Sequence, residues 1–161
     1  DSAQAADPGL PMPQLVRGRL LYEDGNYEAA LAAFEEADAA LDARGRTLEE
    51  LQWYLGDTFA RLDRYEEAEA HFREELHLFP RNIPAYASLA TLYRASNRDR
   101  SLEDVIAALI DSAPTPEGYA TAARLWTILG ERERADAHRA DARARFSDDT
   151  SLATLERGGR R

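Results

Sequence analysis

The chain has 161 residues, of which 44% are hydrophobic, and this length supports one domain with a continuous core. It contains no cysteine, which excludes disulfides, thiol catalysis and cysteine-ligated zinc, and no apolar run approaches the ~18 residues that a membrane-spanning helix needs. The formal net charge of −10 at pH 7 makes nucleic acid and anionic lipid poor partners, because both require clusters of cations.

Helical patterns follow one another along the chain from residue 11 onward. Residues 1–10 lack an apolar stretch and contain Pro and Gly, so we expect a disordered leader or linker there. Thereafter apolar residues recur every three to four positions, which is typical of amphipathic helices, and no strand pattern competes with them. We predict helices at 13–24, 27–43, 47–62, 65–79, 83–96, 100–112, 116–129 and 131–146, a short capping helix at 150–157 and a mobile tail at 158–161.

Capping residues support several of these helix boundaries. The segments 47–50 and 101–104 each begin with Thr or Ser and end with an acidic residue, which predicts N-caps at Thr47 and Ser101. Thr115 followed by Pro116 predicts a helix that begins with a capping hydroxyl and a proline in its first turn. The connection over residues 43–47 is four residues longer than the others, so we expect an extra helical turn or a looser loop there.

A short phrase recurs along the chain. It reads GNYEAA at residues 25–30, DRYEEA at 63–68 and, more weakly, GERERA at 130–135. The third residues of these phrases are Tyr27, Tyr65 and Arg132, and Asp99 holds the equivalent position between the last two. These four residues are separated by 38, 34 and 33 residues. A helix–turn–helix unit that repeats about every 34 residues has the period of the tetratricopeptide repeat.

The chain resembles the tetratricopeptide repeat family over residues 11–149. We number four units of this type, at 11–44, 49–82, 83–116 and 116–149, within a single domain that spans residues 11–157. The family's small residue at position 8, where the two helices of a unit approach, is matched by Gly18, Gly56, Ala90 and Ala123. Position 24 carries Phe34, Phe72, Ile106 and, against the pattern, Arg139. The resemblance implies an all-α, right-handed superhelical solenoid of helix–turn–helix repeats with a short C-terminal capping helix.

The resemblance also implies a binding surface, because in this family the first helix of each unit lines a concave groove. The residues expected there include one Arg per unit with aromatic side chains beside them, which favours an acidic protein segment as the ligand. The competing interpretation is that these Arg residues cover apolar side chains or pair with Asp57 and its neighbours. The candidate partner-binding residues are Arg19, Tyr22, Trp53, Asp57, Arg61, Arg94 and Arg124.

Catalytic, metal and cofactor sites find little support in the sequence. Glu67, His71 and Glu75 have the spacing of ligands on one helix face, but a solvated acidic face that contains a histidine explains them better. No phosphate-binding Gly-rich loop and no nucleophile motif is present. We therefore expect no enzyme activity, no cofactor and no metal site.

The sequence thus predicts a non-catalytic scaffold that binds a partner peptide or helix in its groove. The alternative is an accessory C-terminal repeat region of a larger bacterial enzyme or envelope-assembly protein. We expect a soluble bacterial protein, with the cytoplasm and the periplasm both open. We also expect protein partners, no nucleic acid and no membrane insertion. A monomer is favoured because the final helix is polar.

Overall fold

A computed structural model describes residues 11–147 of the chain. Over this range the protein is entirely helical, with no β-strand, which confirms the predicted all-α fold of paired helices. The predicted leader at 1–10, capping helix at 150–157 and tail at 158–161 lie outside the described residues. The helices are α1 (Met12–Glu23), α2 (Tyr27–Asp42), α3 (Leu51–Arg61), α4 (Tyr65–Leu78), α5 (Ile83–Ala95), α6 (Asp99–Ser112), α7 (Pro116–Ile128) and α8 (Arg132–Arg145).

The helices belong to two compact units, and the chain divides between them after Phe79. In the first unit α1 packs on α2, α3 packs on α4, and α2 also contacts α3. In the second unit α5 packs on α6, α7 packs on α8, and α7 contacts both helices of the preceding pair. The single domain over residues 11–157 and the limits of its repeats stay predictions.

The turn inside each helix pair is built in the same way four times. One residue per turn adopts a left-handed backbone, and its type suits that conformation: Gly25 (φ +76°), Asp63 (φ +59°), Asn97 (φ +54°) and Gly130 (φ +84°). The next residue then donates its N–H to a carbonyl five residues earlier, which closes the C-terminus of the first helix. These bonds join Asn26 to Leu21, Arg64 to Phe59, Arg98 to Tyr93 and Glu131 to Trp126, at 2.8–3.0 Å.

Glycine allows the helices of the first two pairs to approach closely. A Cβ atom added to Gly18 would lie 2.6 Å from the Phe34 ring, and one added to Gly56 would lie 2.7 Å from the Phe72 ring. Both rings are almost fully buried, so neither can move aside. Position 8 therefore needs glycine in these pairs because an aromatic ring occupies the space of its side chain. In the second unit this position is alanine, and both Ala90 and Ala123 are buried.

The connection between α2 and α3 is longer than the others, as predicted, but α3 begins at Leu51 and not at residue 47. Helix α2 has 16 residues where α4, α6 and α8 have 14, and α3 begins only at Leu51, so both an extended helix and a looser loop are present. The predicted N-cap at Thr47 is wrong. The residue before α3 is Glu50, which has a left-handed backbone (φ +73°) and makes no side-chain capping bond.

The N-terminus of α3 is capped instead by a carboxylate from α4. Glu75 is fully buried, and its Oε1 accepts a hydrogen bond from the Glu50 backbone N–H at 2.8 Å. Its Oε2 accepts one from the Trp53 backbone N–H at 3.3 Å. An anion is favourable here because the first N–H groups of a helix have no partner within the helix and carry a partial positive charge.

The remaining caps follow the sequence in part. Thr115 caps α7 as predicted: its Oγ1 accepts from the Gly118 N–H at 3.2 Å, and Pro116 opens the helix. The predicted cap at Ser101 is wrong, because α6 already begins at Asp99 and Ser101 lies inside its first turn. Asn82, which the sequence did not mark as a cap, accepts from the Ala85 N–H at 3.1 Å at the start of α5.

Candidate functional site

A polar network joins α1 to α3 in the first unit. The Tyr22 hydroxyl donates a hydrogen bond to Asp57 Oδ2, and Arg61 Nε donates to the same oxygen at 3.1 Å. Partial burial, followed by the hydrogen bond to Asp57, raises the pKa of Tyr22 well above its usual value. The phenol therefore stays protonated and keeps donating at physiological pH. Three of the predicted groove residues, one on α1 and two on α3, are thus brought together.

Three aromatic side chains, Tyr27, Trp53 and Tyr54, surround this network, and all of them are half-buried. The Tyr22 ring meets Tyr27 and Tyr54 edge to face, with ring centroids 5.7 and 5.6 Å apart. Tyr54 stacks on Phe34 at 5.2 Å, and Trp53 meets the Tyr54 ring edge to face at 5.0 Å. We call the set Tyr22, Tyr27, Trp53, Tyr54, Arg19, Asp57 and Arg61 the α1/α3 cluster, after the helices that carry all of its members except Tyr27, which begins α2.

The two arginines of the α1/α3 cluster have different surroundings. The Arg61 Cζ lies 5.7 Å from the centroid of the Tyr27 ring, and its guanidinium pairs with Asp57. The Arg19 Cζ lies 5.5 Å from the centroid of the Tyr54 ring, and Arg19 is exposed. Arg61 is therefore paired with Asp57, which is the interpretation that competed with a role in ligand binding.

The other two predicted groove residues lie in the second unit. Arg94 on α5 approaches Asp99, with 3.8 Å between Nη1 and Oδ1, and both side chains are mostly exposed. A pair of this kind contributes little to stability. Arg124 on α7 is exposed. That the four arginines form one continuous surface stays a prediction.

The sequence missed Tyr27 and Tyr54 as members of the cluster. Tyr27 lies within the recurring phrase that marks the repeat, and Tyr54 is not at a position that the family resemblance assigns to the groove. The available signal was the density of aromatic residues, since Trp53 and Tyr54 are adjacent and Tyr22 and Tyr27 are five residues apart.

The three side chains that have the spacing of metal ligands have other partners, and Glu75 is buried and not on the solvated face that the sequence favoured. Glu75 caps α3, whereas Glu67 pairs with Arg64 at 2.9 Å. His71 Nδ1 donates to Gln52 Oε1 at 2.7 Å, and the imidazole stacks on the Phe59 ring at 5.1 Å. Across residues 11–147 no three His, Asp or Glu side chains are grouped closely enough to hold a metal ion.

His71 also borders a cleft of about 380 Å³ in the first unit. Gln52 links the histidine to α2 by donating from Nε2 to Asp38 Oδ1 at 2.7 Å. Burial lowers the pKa of His71, and Glu74 and Glu67 oppose that shift. Burial, followed by the neighbouring Asp42, raises the pKa of Asp38. The cleft is lined by Asp38, Asp42, Arg46, Thr47, Leu48, Leu51, Gln52, Ala70, His71, Glu74 and Leu78.

We expect the free energy of unfolding to fall as the pH is lowered from 7.5 to 5.5. The pKa of a histidine in the unfolded chain is about 6.5, so below that pH the unfolded chain takes up a proton at His71. The folded protein resists the same proton because its His71 has a lower pKa. Urea titrations across this range measure the dependence. In His71→Asn, whose amide can still donate to Gln52, the slope with pH should decrease. An unchanged slope would show that other groups cause it, His138 among them, since burial lowers its pKa too.

Solved structures share this succession of paired helices. TTC0263, a tetratricopeptide repeat (TPR) protein of Thermus thermophilus, is 25% identical, with a TM-score of 0.61 over 90% of this chain and 80% of that one. The chain has the tetratricopeptide-repeat fold. PilW, a type IV pilus biogenesis factor, has the same TPR fold, with a TM-score of 0.64 and 19% identity over 92% of this chain and 68% of its own. YrrB, a TPR protein with an unusual peptide-binding site, has a TM-score of 0.57 and 16% identity over 94% of this chain and 76% of its own.

Comparison of the sequence with known proteins gives less information than comparison of the structure. No family model matches the chain. Human Protein O-mannosyl-transferase TMTC2 is 30% identical over 98 residues, which are 61% of this chain and 12% of that protein. The chain therefore spans a small part of this relative's length. In the described part of this TPR fold, no helix is both long and apolar enough to cross a bilayer.

Proposed function

We propose that the protein is a non-catalytic interaction scaffold that binds a segment of a partner protein at the α1/α3 cluster. TPR proteins are its structural neighbours, and one of them, YrrB, is described as having a peptide-binding site. The observation that carries the proposal is the partly exposed set of aromatic and Arg side chains held together on α1 and α3. These residue types dominate the binding energy of protein interfaces.

The packing of the cluster supports binding for an energetic reason. Ordering flexible side chains opposes association, at about 0.5–1.5 kcal/mol for each side chain immobilised. Here the rings of Tyr22 and Trp53 each contact the Tyr54 ring, and Tyr22 also donates a hydrogen bond to Asp57. A partner segment would therefore meet a surface that has lost most of this freedom before binding.

Charge favours an acidic segment as the partner. The cluster contains two Arg residues and one Asp, whereas the second helices of the first unit carry Glu28, Glu35, Glu66 and Glu74. We propose that Arg94 and Arg124, which lie in the second unit, are also partner-binding residues. Binding should weaken as salt is added, because partly exposed charges are screened within about 8–10 Å.

Selection of peptides followed by nuclear magnetic resonance tests this proposal. A displayed library of random 12-residue peptides is panned against the folded chain, and the best binder is titrated into isotope-labelled protein. We expect the amide shifts that change most to be those of α1 and α3, near Tyr22 and Trp53. Shifts confined to α2 and α4 would place binding on the opposite helices and contradict the proposed site. Failure to enrich any peptide would count against the scaffold itself.

The accessory-region alternative rests on a different observation. The human relative is a far longer protein named as a transferase, and this chain matches 12% of it. An accessory TPR region would bind a segment of its own polypeptide. The mass of the mature protein in cells of the source organism, measured on an immunoprecipitate, distinguishes the two: a mass close to 18.0 kDa favours the stand-alone scaffold.

A further inference from the structure

The two arginines of the α1/α3 cluster have unequal capacity to bind an anion. The Arg61 Nε is 3.1 Å from Asp57 Oδ2, and the side chain of that aspartate is only 19% exposed. Asp57 therefore neutralises Arg61 within the first unit. By contrast, no ion pair of Arg19 is found among residues 11–147, although Glu23 lies one turn further along α1. Within the part of the chain that the structure describes, Arg19 is the cation of the cluster that has no anionic partner.

Arg19 is held where a ligand can reach it. Its guanidinium lies over the Tyr54 ring, and Trp53 meets that same ring edge to face. The face of an aromatic ring attracts a cation without neutralising its charge, so the guanidinium keeps its donors for a further partner. A cation and a partly exposed indole thus both contact Tyr54.

Resting on the proposed function, we propose that the cluster recognises one acidic side chain, from Asp or Glu, next to one apolar or aromatic residue in the partner segment. The carboxylate pairs with Arg19, and the apolar neighbour packs against Trp53. Arg19 can offer two parallel N–H donors to a carboxylate, which is the strongest form of this contact. The Tyr22–Asp57–Arg61 network positions the rings and does not itself bind the acid.

Asp57 sets a limit on the ligand. It carries a negative charge beside Arg61, and that arginine is already paired. A second carboxylate in the ligand that reached Asp57 would be repelled, because like charges in contact across an interface oppose binding. The cluster should therefore select one acidic residue at a fixed place and not a run of them.

The experiment compares three proteins in the same panning: wild type, Arg19→Gln and the control Arg17→Gln. Arg17 lies on the same helix and loses the same charge, but its contact with Glu36 is 3.7 Å long and both side chains are more than half exposed. The peptides are displayed without a free C-terminus, and the selected sequences are then synthesised with an amidated end. A matching set with a free C-terminal carboxylate tests whether a chain terminus can replace the acidic side chain.

We expect wild type and Arg17→Gln to enrich the same peptides, each with one acidic residue beside an apolar or aromatic one. Arg19→Gln should weaken binding of the amidated peptide by about tenfold. Replacing the acidic residue of the peptide should weaken its binding to wild type by the same factor. It should change binding to Arg19→Gln very little, since the two substitutions remove the same contact.

Three results would overturn the inference while leaving the scaffold in place. Enriched peptides could lack an acidic residue, or Arg19→Gln could bind them as tightly as Arg17→Gln does. If a free C-terminus binds Arg19 and an internal acid does not, the ligand is a chain end and the proposed side-chain contact is wrong. If no peptide is enriched by any of the three proteins, the proposed function itself fails.

Discussion

Glu75→Ala is expected to lower the free energy of unfolding by about 3 kcal/mol or more. The substitution removes a fully buried side chain and leaves the backbone N–H groups of Glu50 and Trp53 without their acceptor at the start of α3. A hydrogen bond to a charged acceptor contributes about 1.5–3 kcal/mol, and the cavity adds to that loss. Denaturation in urea, followed by circular dichroism, measures the change.

The neighbouring carboxylate provides the control. Glu74 is exposed on the same helix, so Glu74→Ala should change stability by less than about 0.5 kcal/mol. Glu75→Gln keeps the shape and one acceptor oxygen but loses the negative charge at the helix terminus, and we expect an intermediate loss. Equal stability of Glu75→Ala and Glu74→Ala would show that this cap contributes nothing.

Gly56→Leu is expected to destabilise the protein by about 1–3 kcal/mol or more. Even a methyl group at this position would lie 2.7 Å from the Phe72 ring and 3.1 Å from the Ala68 carbonyl oxygen. Because Phe72 is 1% exposed and the carbonyl belongs to α4, the added atoms can be accommodated only by separating α3 from α4. Thermal unfolding of the variant, compared with wild type at equal concentration, measures the effect.

Ala32→Leu is the matched control for this substitution, because it adds the same kind of bulk at an exposed position of α2. We expect its melting temperature to stay close to that of wild type. A variant Gly56→Leu as stable as Ala32→Leu would contradict the close approach of α3 and α4. It would also remove the physical reason for a small residue at position 8.

The fold was predictable because its main determinants are local or periodic. Glycine at positions 18 and 56 and the recurring turns have a sequence signal at a fixed spacing. The start of α3 lacked such a signal, since the cap comes from a residue 25 positions later than Glu50. Periodicity identifies which residues share a helix, but it does not reveal which charged residue of α4 faces the end of α3.

The candidate site was predictable only at the level of residue types. The sequence indicated Arg and aromatic side chains on the first helices, and the structure brings Tyr22, Asp57 and Arg61 together as a network. The sequence could not show that Asp57 pairs with Arg61 and leaves Arg19 available. That distinction depends on side-chain distances of a few ångströms, which no spacing along the chain encodes.

The position of Asp57 makes the charge preference of this surface easy to change. Asp57→Asn would free Arg61 from its ion pair, and the amide oxygen could still accept a hydrogen bond from Tyr22. The surface would then present two available cations instead of one, which favours ligands with paired acids. A single nucleotide change converts an Asp codon into an Asn codon, so related chains could diverge in partner choice without rebuilding the helices that support the site.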